Sequence, residues 1–284
     1  MKIITIFDRN EDFIYLQYKS ILKHVKGDYE YIVFNNAKTK EQATKIEKVC
    51  EELGIRCIRI KVMYLWSNPS KIAGRALNES YKHLKKMGEP YFKIDSDMFF
   101  IGDININEML KNKDLVYVPT YLPRKTMWSG VFGINTKKVK FDLNFMPGII
   151  KNTDTFGQSC LLVNDNRYSQ QLLELHNLQD IKGGIIETNL NGNCIIKFNQ
   201  DGIIFKGNDN FTPNDDFIIL KNKYNNIIKI MKEHNFPTPY NIDFISKDGK
   251  DFIFHFKSSN WCPWYTEEYV INKKNALKRL LENI

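Results

Sequence analysis

The chain has 284 residues, with 41 lysines and arginines against 33 aspartates and glutamates. This length is enough to bury a sizeable core, so small scaffolds held together by disulfides or structural metals are excluded. The formal net charge of +8 indicates an anionic partner, such as a nucleotide diphosphate, an anionic membrane surface or a nucleic acid. Because the lysines are scattered along the chain, nucleic acid is the weakest of these three.

Cysteine usage and hydropathy bear on the cellular compartment. The five cysteines include no C-x-x-C pair, which argues against zinc and dithiol redox sites. The apolar run Met1–Phe7 meets the charged Asp8-Arg9 pair too soon to form the core of a signal peptide. No apolar stretch approaches the length that spans a membrane. We therefore expect a cytoplasmic protein with no transmembrane segment, at most peripheral at a membrane.

The first half of the chain alternates predicted strands and helices. Strands are expected at Lys2–Phe7, Tyr29–Phe34 and Ile55–Val62. A polar loop, Asp8–Asp12, is expected to lead into a helix that runs through about Val25, and further helices are expected from about Lys40 to Leu53 and from Lys71 to Met87. This alternation predicts the α/β class, with a mixed, mainly parallel sheet flanked by helices.

The second half changes character after two further predicted strands, Leu115–Val118 and Gly130–Ile134. Clusters of Asn, Gly and Asp between positions 189 and 216 separate short apolar runs, which is typical of hairpins or of irregular cover over a sheet. A late strand is expected at Lys250–Phe256, and a basic helix over Glu267–Ile284. Without an internal repeat or a clear linker, the sequence predicts one domain over residues 1–284.

The most informative segment is Gly88–Phe100, where an apolar strand runs into Asp95-Ser96-Asp97. Open α/β sheets bind their ligands at the carboxyl ends of the strands. Side chains at i and i+2 of an extended segment share a face, so both aspartates can converge on one hard cation that bridges a diphosphate. The alternative is an ordinary turn, since Asp and Ser form turns readily. Two acids that interrupt a buried strand are costly unless compensated, which favours the metal site.

These residues resemble nucleotide-sugar glycosyltransferases of the GT-A fold, especially the family-2-like branch. Those enzymes carry a helix with an Ala-x-Asn step, then Gly-Glu-Tyr and a strand that ends in Asp-x-Asp. Ala76–Asn78 and Gly88–Asp97 look very similar, with Pro90 as an insertion. The Ile-Gly-Asp-Ile step at Ile101–Ile104 is similar to the segment after the acidic motif in glycogenin-like retaining transferases. The resemblance extends from the N-terminus to about Asp103.

The resemblance implies a GT-A, Rossmann-like fold with a nucleotide-binding half, residues 1–104, and an acceptor-binding half with an irregular C-terminal cover, residues 105–284. It implies a nucleotide-sugar donor, with a UDP-sugar favoured, and a Mn²⁺ or Mg²⁺ ion that stabilises the departing nucleoside diphosphate as a Lewis acid. The residues expected to contact the donor are Phe7, Arg9, Asn35, Asn78, Asp95, Ser96 and Lys257.

A second signal lies in Phe254–Trp261. In many GT-A enzymes a late histidine completes the metal shell, so the resemblance implies that His255 joins Asp95 and Asp97 as the third protein ligand. The alternative is a core histidine on an edge strand. Lys257 is expected to touch the diphosphate, with a solvated lysine as its alternative.

The catalytic base and the acceptor site are less constrained by the sequence. An inverting transferase needs a carboxylate that takes the acceptor proton, and Asp154 is the candidate, with Glu187 as a rival and a helix N-cap as the structural alternative. Trp128 and Trp261 offer aromatic faces for the acceptor sugar. The family-2-like order favours inversion, whereas the glycogenin-like element favours retention without such a base.

Three classes of function stay open at this point. For a metal-dependent glycosyltransferase the expected acceptor is a glycan or a protein, and the basic charge leaves a modified nucleic-acid base open. A nucleotidyltransferase also presents acids to a nucleotide, but it usually has a glycine-rich phosphate loop, and Phe7–Asn10 lacks glycine. A nucleotide-sugar-binding module without turnover is the third hypothesis.

Overall fold

The computed structural model describes residues 1–62, 69–120, 125–140, 142–146, 156–181, 185–190, 194–199, 202–207, 242–256, 271, 274–275 and 277–279. The chain forms two compact units. The first comprises Met1–Ser96 and Asp103–Leu173, and the second comprises Asp97–Gly102 and Glu174–Ile284. The single domain over residues 1–284 stays a prediction.

Strands and helices are numbered here in chain order. The strands are β1 (Lys2–Phe7), β2 (Glu30–Asn35), β3 (Arg56–Arg59), β4 (Tyr91–Ile94), β5 (Met98–Phe100), β6 (Leu115–Thr120), β7 (Thr126–Ile134), β8 (Gln170–Leu172), β9 (Glu174–Ile181), β10 (Ile185–Leu190), β11 (Cys194–Asn199), β12 (Gly202–Gly207), β13 (Ile242–Lys247) and β14 (Lys250–Phe256). The helices are α1 (Asp12–His24), α2 (Lys40–Glu52), α3 (Pro69–Met87), α4 (Ile106–Asn112) and α5 (Cys160–Val163).

The first unit is built on a seven-stranded sheet in the order β3-β2-β1-β4-β7-β6-β8. Strands β3, β2, β1 and β4 run parallel to one another, and β8 runs parallel to β6. Strand β7 is antiparallel to both β4 and β6. The sheet is therefore mixed and mainly parallel, and with its helices it confirms the predicted α/β class.

Local sequence explains how the helices of this unit begin and which face they bury. Thr39 caps α2, since its side chain accepts a hydrogen bond from the backbone N–H of Gln42 at 3.2 Å. Ala43, Ile46 and Cys50 recur at helical spacing and are the buried residues of α2.

In the described part of the chain, no helix has both the length and the apolar character needed to cross a membrane.

An aromatic cluster lies at the centre of the core of the first unit. The ring centroids of Phe132 and Phe156 are 5.3 Å apart, and those of Phe145 and Phe156 are 4.3 Å apart. Tyr91 of β4 packs edge-on against Phe132 of β7 at 6.2 Å. All four side chains are buried, so the cluster holds the strand that precedes the two aspartates against its antiparallel neighbour.

The second unit is built on an antiparallel sheet in the order β12-β11-β10-β9-β13-β14-β5. Strands β9 to β12 follow one another as hairpins, and β13 and β14 form another hairpin through Asp248-Gly249. Both turn residues have positive φ, +52° and +74°, which suits an aspartate and a glycine. The edge strand β5 comes from the segment directly after the acidic motif.

The observed elements follow the predicted ones closely, with a few differences in length. Strand β3 ends at Arg59, three residues before the predicted end at Val62, and β7 begins at Thr126 rather than at Gly130. Strand β14 has the predicted bounds, Lys250–Phe256. Within the predicted C-terminal helix, the described residues 271, 274–275 and 277–279 are helical.

Phe132→Ala should lower the free energy of unfolding by roughly 3–5 kcal/mol, because it removes a fully buried ring from the aromatic cluster and leaves a cavity. Chemical denaturation followed by circular dichroism measures this loss. Leu161→Ala is the control: that side chain is 61% exposed, so its change should stay within about 0.5 kcal/mol. Equal effects of the two substitutions would contradict the assignment of this core.

Candidate metal and nucleotide site

A buried lysine and an acid lie close together along the chain at the carboxyl end of β4. Lys93 is 3% exposed, and its ammonium donates to the carboxylate of Asp95 and to the backbone carbonyls of Ser129 and Gly130. These two carbonyls belong to β7, the antiparallel neighbour of β4. An ammonium can be buried here only because three oxygen acceptors surround it. The same contacts fix one side of the Asp95 carboxylate.

The backbone of Asp95 is held from α1. Gln17 is fully buried, and its amide N–H donates to the carbonyl oxygen of Asp95 at 2.9 Å. Its amide oxygen accepts from the hydroxyls of Thr5 at 2.8 Å and Tyr31 at 2.6 Å. Burial raises the pKa of Tyr31 far above its ordinary value, so its hydroxyl stays protonated and donates. Strands β1 and β2 therefore anchor the end of β4 through one side chain.

Asp97 and His255 meet in the second unit because β5 pairs with β14. The antiparallel register places His255 opposite Met98, and the backbone N–H of Phe256 donates to the carbonyl of Asp97 at 2.9 Å. The imidazole Nε2 of His255 lies 3.4 Å from a carboxylate oxygen of Asp97. Both side chains are largely shielded, with 7% and 13% exposed. A proton on the imidazole or a cation that both groups share compensates such a buried carboxylate.

Gly102 shows why the segment after β5 needs a glycine. A Cβ at this position would collide with the backbone carbonyl oxygen of Asp251 on β14. The backbone N–H of Ile101 donates to the carbonyl of Phe252 at 3.0 Å, which keeps the two chains this close. The Ile-Gly-Asp-Ile step singled out in the sequence thus has a local packing role beside β14.

The donor set suits a divalent cation. Within the second unit, the Asp97 carboxylate and the His255 imidazole are close enough to share a cation, and Asp95, two residues before Asp97 along the chain, stays the predicted third ligand. Carboxylate oxygens are the ligands of Mg²⁺ and Mn²⁺, and an imidazole nitrogen is accepted by the transition metals. A set of two carboxylates and one imidazole therefore fits Mn²⁺ better than it fits Mg²⁺.

The residues predicted to contact the nucleotide base lie at the carboxyl ends of β1 and β2. Phe7 is fully buried, and the half-exposed Arg9 has its guanidinium Nε 3.5 Å from the Asp8 carboxylate. The amide of Asn35 is bonded within the protein: its nitrogen donates to the carbonyl of Ala43 at 3.0 Å, and its oxygen accepts from Arg59 at 2.9 Å. Contact of these residues with a base stays a prediction.

Arg59 is a residue that the sequence reasoning missed. Its guanidinium donates to the carbonyl oxygens of Asn35 and Ala37, as well as to the Asn35 side chain. It therefore fixes the loop after β2, where the predicted base contact lies. Because the predicted strand ran on to Val62, Arg59 was expected in the strand interior, and only the observed end of β3 places it at the carboxyl edge, where ligands of α/β sheets bind.

Two other predicted residues lie in defined local settings. Asn78 of α3 accepts from the backbone N–H of Phe145 at 2.9 Å and donates to Asn144 at 3.2 Å, so its amide holds the segment after β7 against the helix. Trp128 of β7 is half-buried, and its ring packs over Gly130, where a Cβ would collide with it. Ser96 is half-buried in the turn between the two aspartates.

The remaining predicted residues cannot be placed in the site. Asp154, Lys257 and Trp261 lie outside the described residues. Glu187, the rival base, lies on β10 of the second unit, in register with Lys197 of β11 and Gln179 of β9. The catalytic and acceptor assignments stay predictions.

Several solved structures resemble this chain in part. A mannosyltransferase, PcManGT from Pyrobaculum calidifontis in complex with GDP-Man and Mn²⁺, has a TM-score of 0.43 and 10% identity over 60% of this chain. The galactosyltransferase LgtC, in complex with donor and acceptor sugar analogues, has a TM-score of 0.31 and 16% identity over 49% of this chain. The glycosyltransferase GlyE from Streptococcus pneumoniae has a TM-score of 0.31 and 17% identity over 48% of this chain.

These similarities are partial on both sides. The matches cover 53%, 59% and 34% of the lengths of PcManGT, LgtC and GlyE, respectively. No protein-family model and no curated protein matches the sequence.

Gln17→Leu should lower the free energy of unfolding by roughly 3 kcal/mol, because the buried hydroxyls of Thr5 and Tyr31 lose a shared acceptor and the carbonyl of Asp95 loses the Gln17 donor. Urea denaturation measures the change. Tyr31→Phe, which deletes a single hydroxyl from the same network, should cost only about 1 kcal/mol. If the two variants were equally stable, Gln17 would not be the residue that anchors the end of β4.

Proposed function

We propose that this protein is a metal-dependent glycosyltransferase that moves a sugar from a nucleoside-diphosphate sugar to a hydroxyl acceptor. The observation that carries the proposal is the Asp97–His255 pair, held 3.4 Å apart by the pairing of β5 with β14. Asp95 stands two residues earlier, at the carboxyl end of a parallel strand, where α/β sheets bind ligands. Together these residues provide the carboxylate and imidazole ligands that a cation bound to a diphosphate requires.

Asp95, Asp97 and His255 would hold the cation, with Mn²⁺ preferred over Mg²⁺ because one ligand is an imidazole. When bound, the cation stabilises the negative charge that develops on the departing nucleoside diphosphate. The protein fixes this arrangement through backbone bonds. Gln17 holds the Asp95 carbonyl and Phe256 holds the Asp97 carbonyl, so the carboxylates are pre-positioned before the donor arrives.

The donor is a nucleotide sugar, with a UDP-sugar as the first candidate. Asn35 and Arg59 support the loop after β2, on which the base and ribose would rest, together with the Phe7–Arg9 segment at the end of β1. The formal net charge of +8 favours association with a substrate that carries a negative diphosphate.

The acceptor hydroxyl belongs to a glycan or a protein, and transfer proceeds with inversion. Asp154 is proposed as the base that takes the acceptor proton, and Trp128 and Trp261 as surfaces for the acceptor sugar. The buried Lys93 is unsuited to this acceptor chemistry, because its ammonium is committed to three oxygen acceptors.

Asp97→Asn should abolish metal-dependent nucleotide binding without unfolding the protein, since it removes one carboxylate of the proposed cation site. The measurement is calorimetric titration of a panel of UDP-, GDP-, ADP- and CMP-sugars, each with and without Mn²⁺. The matched control is Asp248→Asn on the β13–β14 turn, a 76% exposed acid in the same unit, which should bind like the wild type.

Each outcome of that titration is informative. Binding of one nucleotide sugar that depends on Mn²⁺ and is lost in Asp97→Asn supports the proposal and names the donor. Unchanged affinity in Asp97→Asn would remove the metal site from the proposal. If no nucleotide sugar binds to the wild type, the glycosyltransferase assignment fails.

His255→Ala should weaken Mn²⁺ binding by about tenfold or more, because the cation loses a nitrogen ligand. The loss is measured by titration of Mn²⁺ followed by electron paramagnetic resonance of the free ion. His83→Ala on α3, in the first unit, is the control and should leave the titration unchanged. A normal titration for His255→Ala would make His255 a core residue of β14.

A further inference from the structure

The ammonium of Lys93 is a fixed positive charge inside the proposed donor site. The side chain is 3% exposed and points along β4 to the carboxylate of Asp95. The backbone carbonyls of Ser129 and Gly130 accept from the same ammonium, the latter at 3.3 Å. Nothing in the proposed cation chemistry needs a lysine here, since a cationic group beside a metal ligand opposes the cation.

The surroundings of Lys93 prevent the charge from moving away. Its stem lies in a four-residue strand whose residues are all buried, and β4 is paired to β1 on one side and β7 on the other. Gly130, one of its carbonyl partners, is covered by the ring of Trp128. Because the ammonium is tied to backbone atoms as well as to Asp95, it cannot swing out to solvent when a cation approaches.

The acidic motif and the described lysine bonded to it carry opposite charges. The carboxylates of Asp95 and Asp97 carry two negative charges, and Lys93 cancels one of them. A divalent cation on such a site leaves one net positive charge, which a nucleoside diphosphate can neutralise. Without the lysine, the cation alone would neutralise the two carboxylates, and the diphosphate would meet a site with no net charge.

We propose that Lys93 makes the site bind the cation together with a diphosphate rather than the cation alone. This inference rests on the proposed function, and it assigns Lys93 a positioning and charge-setting role for nucleoside-diphosphate ligands. It acts through Asp95, whose side chain is 41% exposed, and through the field of an ammonium that is itself only 3% exposed.

A purely structural role for Lys93 predicts a different pattern of effects. If the lysine only ties β4 to β7, its loss loosens the end of β4, and affinity for the cation and for the nucleotide falls in parallel. If its charge sets the selectivity, the two affinities change in opposite directions. The sign of the change in cation affinity therefore separates the two roles.

The experiment compares the wild type with Lys93→Met. Affinity for Mn²⁺ alone is measured by electron paramagnetic resonance, and affinity for UDP at saturating Mn²⁺ by calorimetry. We expect about tenfold tighter binding of Mn²⁺ alone and about tenfold weaker binding of UDP, the effect of one unit charge at close range. The matched control is Lys85→Met, a 63% exposed lysine of the same unit, which should change neither affinity.

A second neutral variant covers the case in which Lys93→Met does not fold. Lys93→Gln keeps an amide donor for the Ser129 and Gly130 carbonyls but carries no charge, and the same opposite shifts are expected. Parallel loss of both affinities, or no change in either, overturns the inference while the metal site stands. A wild type that binds no Mn²⁺ overturns both the inference and the proposed function.

Discussion

The pairing of β5 with β14 is the interaction on which the proposed chemistry depends. It draws Asp97–Gly102 into the antiparallel sheet of the second unit, although the residues on either side of this segment belong to the first. Because His255 lies opposite Met98 in this register, its imidazole reaches the Asp97 carboxylate. A slip of one residue would turn His255 to the other face of the sheet and separate the pair.

The two aspartates are held by their backbones as well as by their side chains. Gln17 fixes the carbonyl of Asp95 from α1, and the N–H of Phe256 fixes the carbonyl of Asp97 from β14. Such anchoring positions each carboxylate through the main chain of its own unit, as the proposed cation site requires. This anchoring places the polar side chains of Gln17, Thr5 and Tyr31 in the buried core, where each of them needs a hydrogen-bond partner.

Charge is balanced at the same place. The buried ammonium of Lys93 donates hydrogen bonds to the Asp95 carboxylate and to the backbone carbonyls of Ser129 and Gly130, so three oxygen acceptors compensate its charge. In a low-dielectric setting such a fixed charge has a longer reach than a surface lysine, whose field water and salt screen. In the proposed function, the net charge of the chain favours encounter with an anionic substrate, whereas the proposed role of Lys93 concerns the ligands that are held after the substrate has arrived.

The sequence by itself determined the α/β class, the order of the first elements, the β14 bounds and the segment that carries the acids, because hydrophobic periodicity and strand-end polarity are local signals. Through the resemblance it also predicted Asp95, Asp97 and His255 as ligands of one cation. Only the tertiary structure decided that β5 leaves the parallel sheet, that Lys93 neutralises Asp95, and that Gln17 and Arg59 support the strand ends. Some of these contacts join residues that are distant along the chain, and in others one side chain could have bonded to several partners. Neither kind of contact produces a periodic pattern in the sequence.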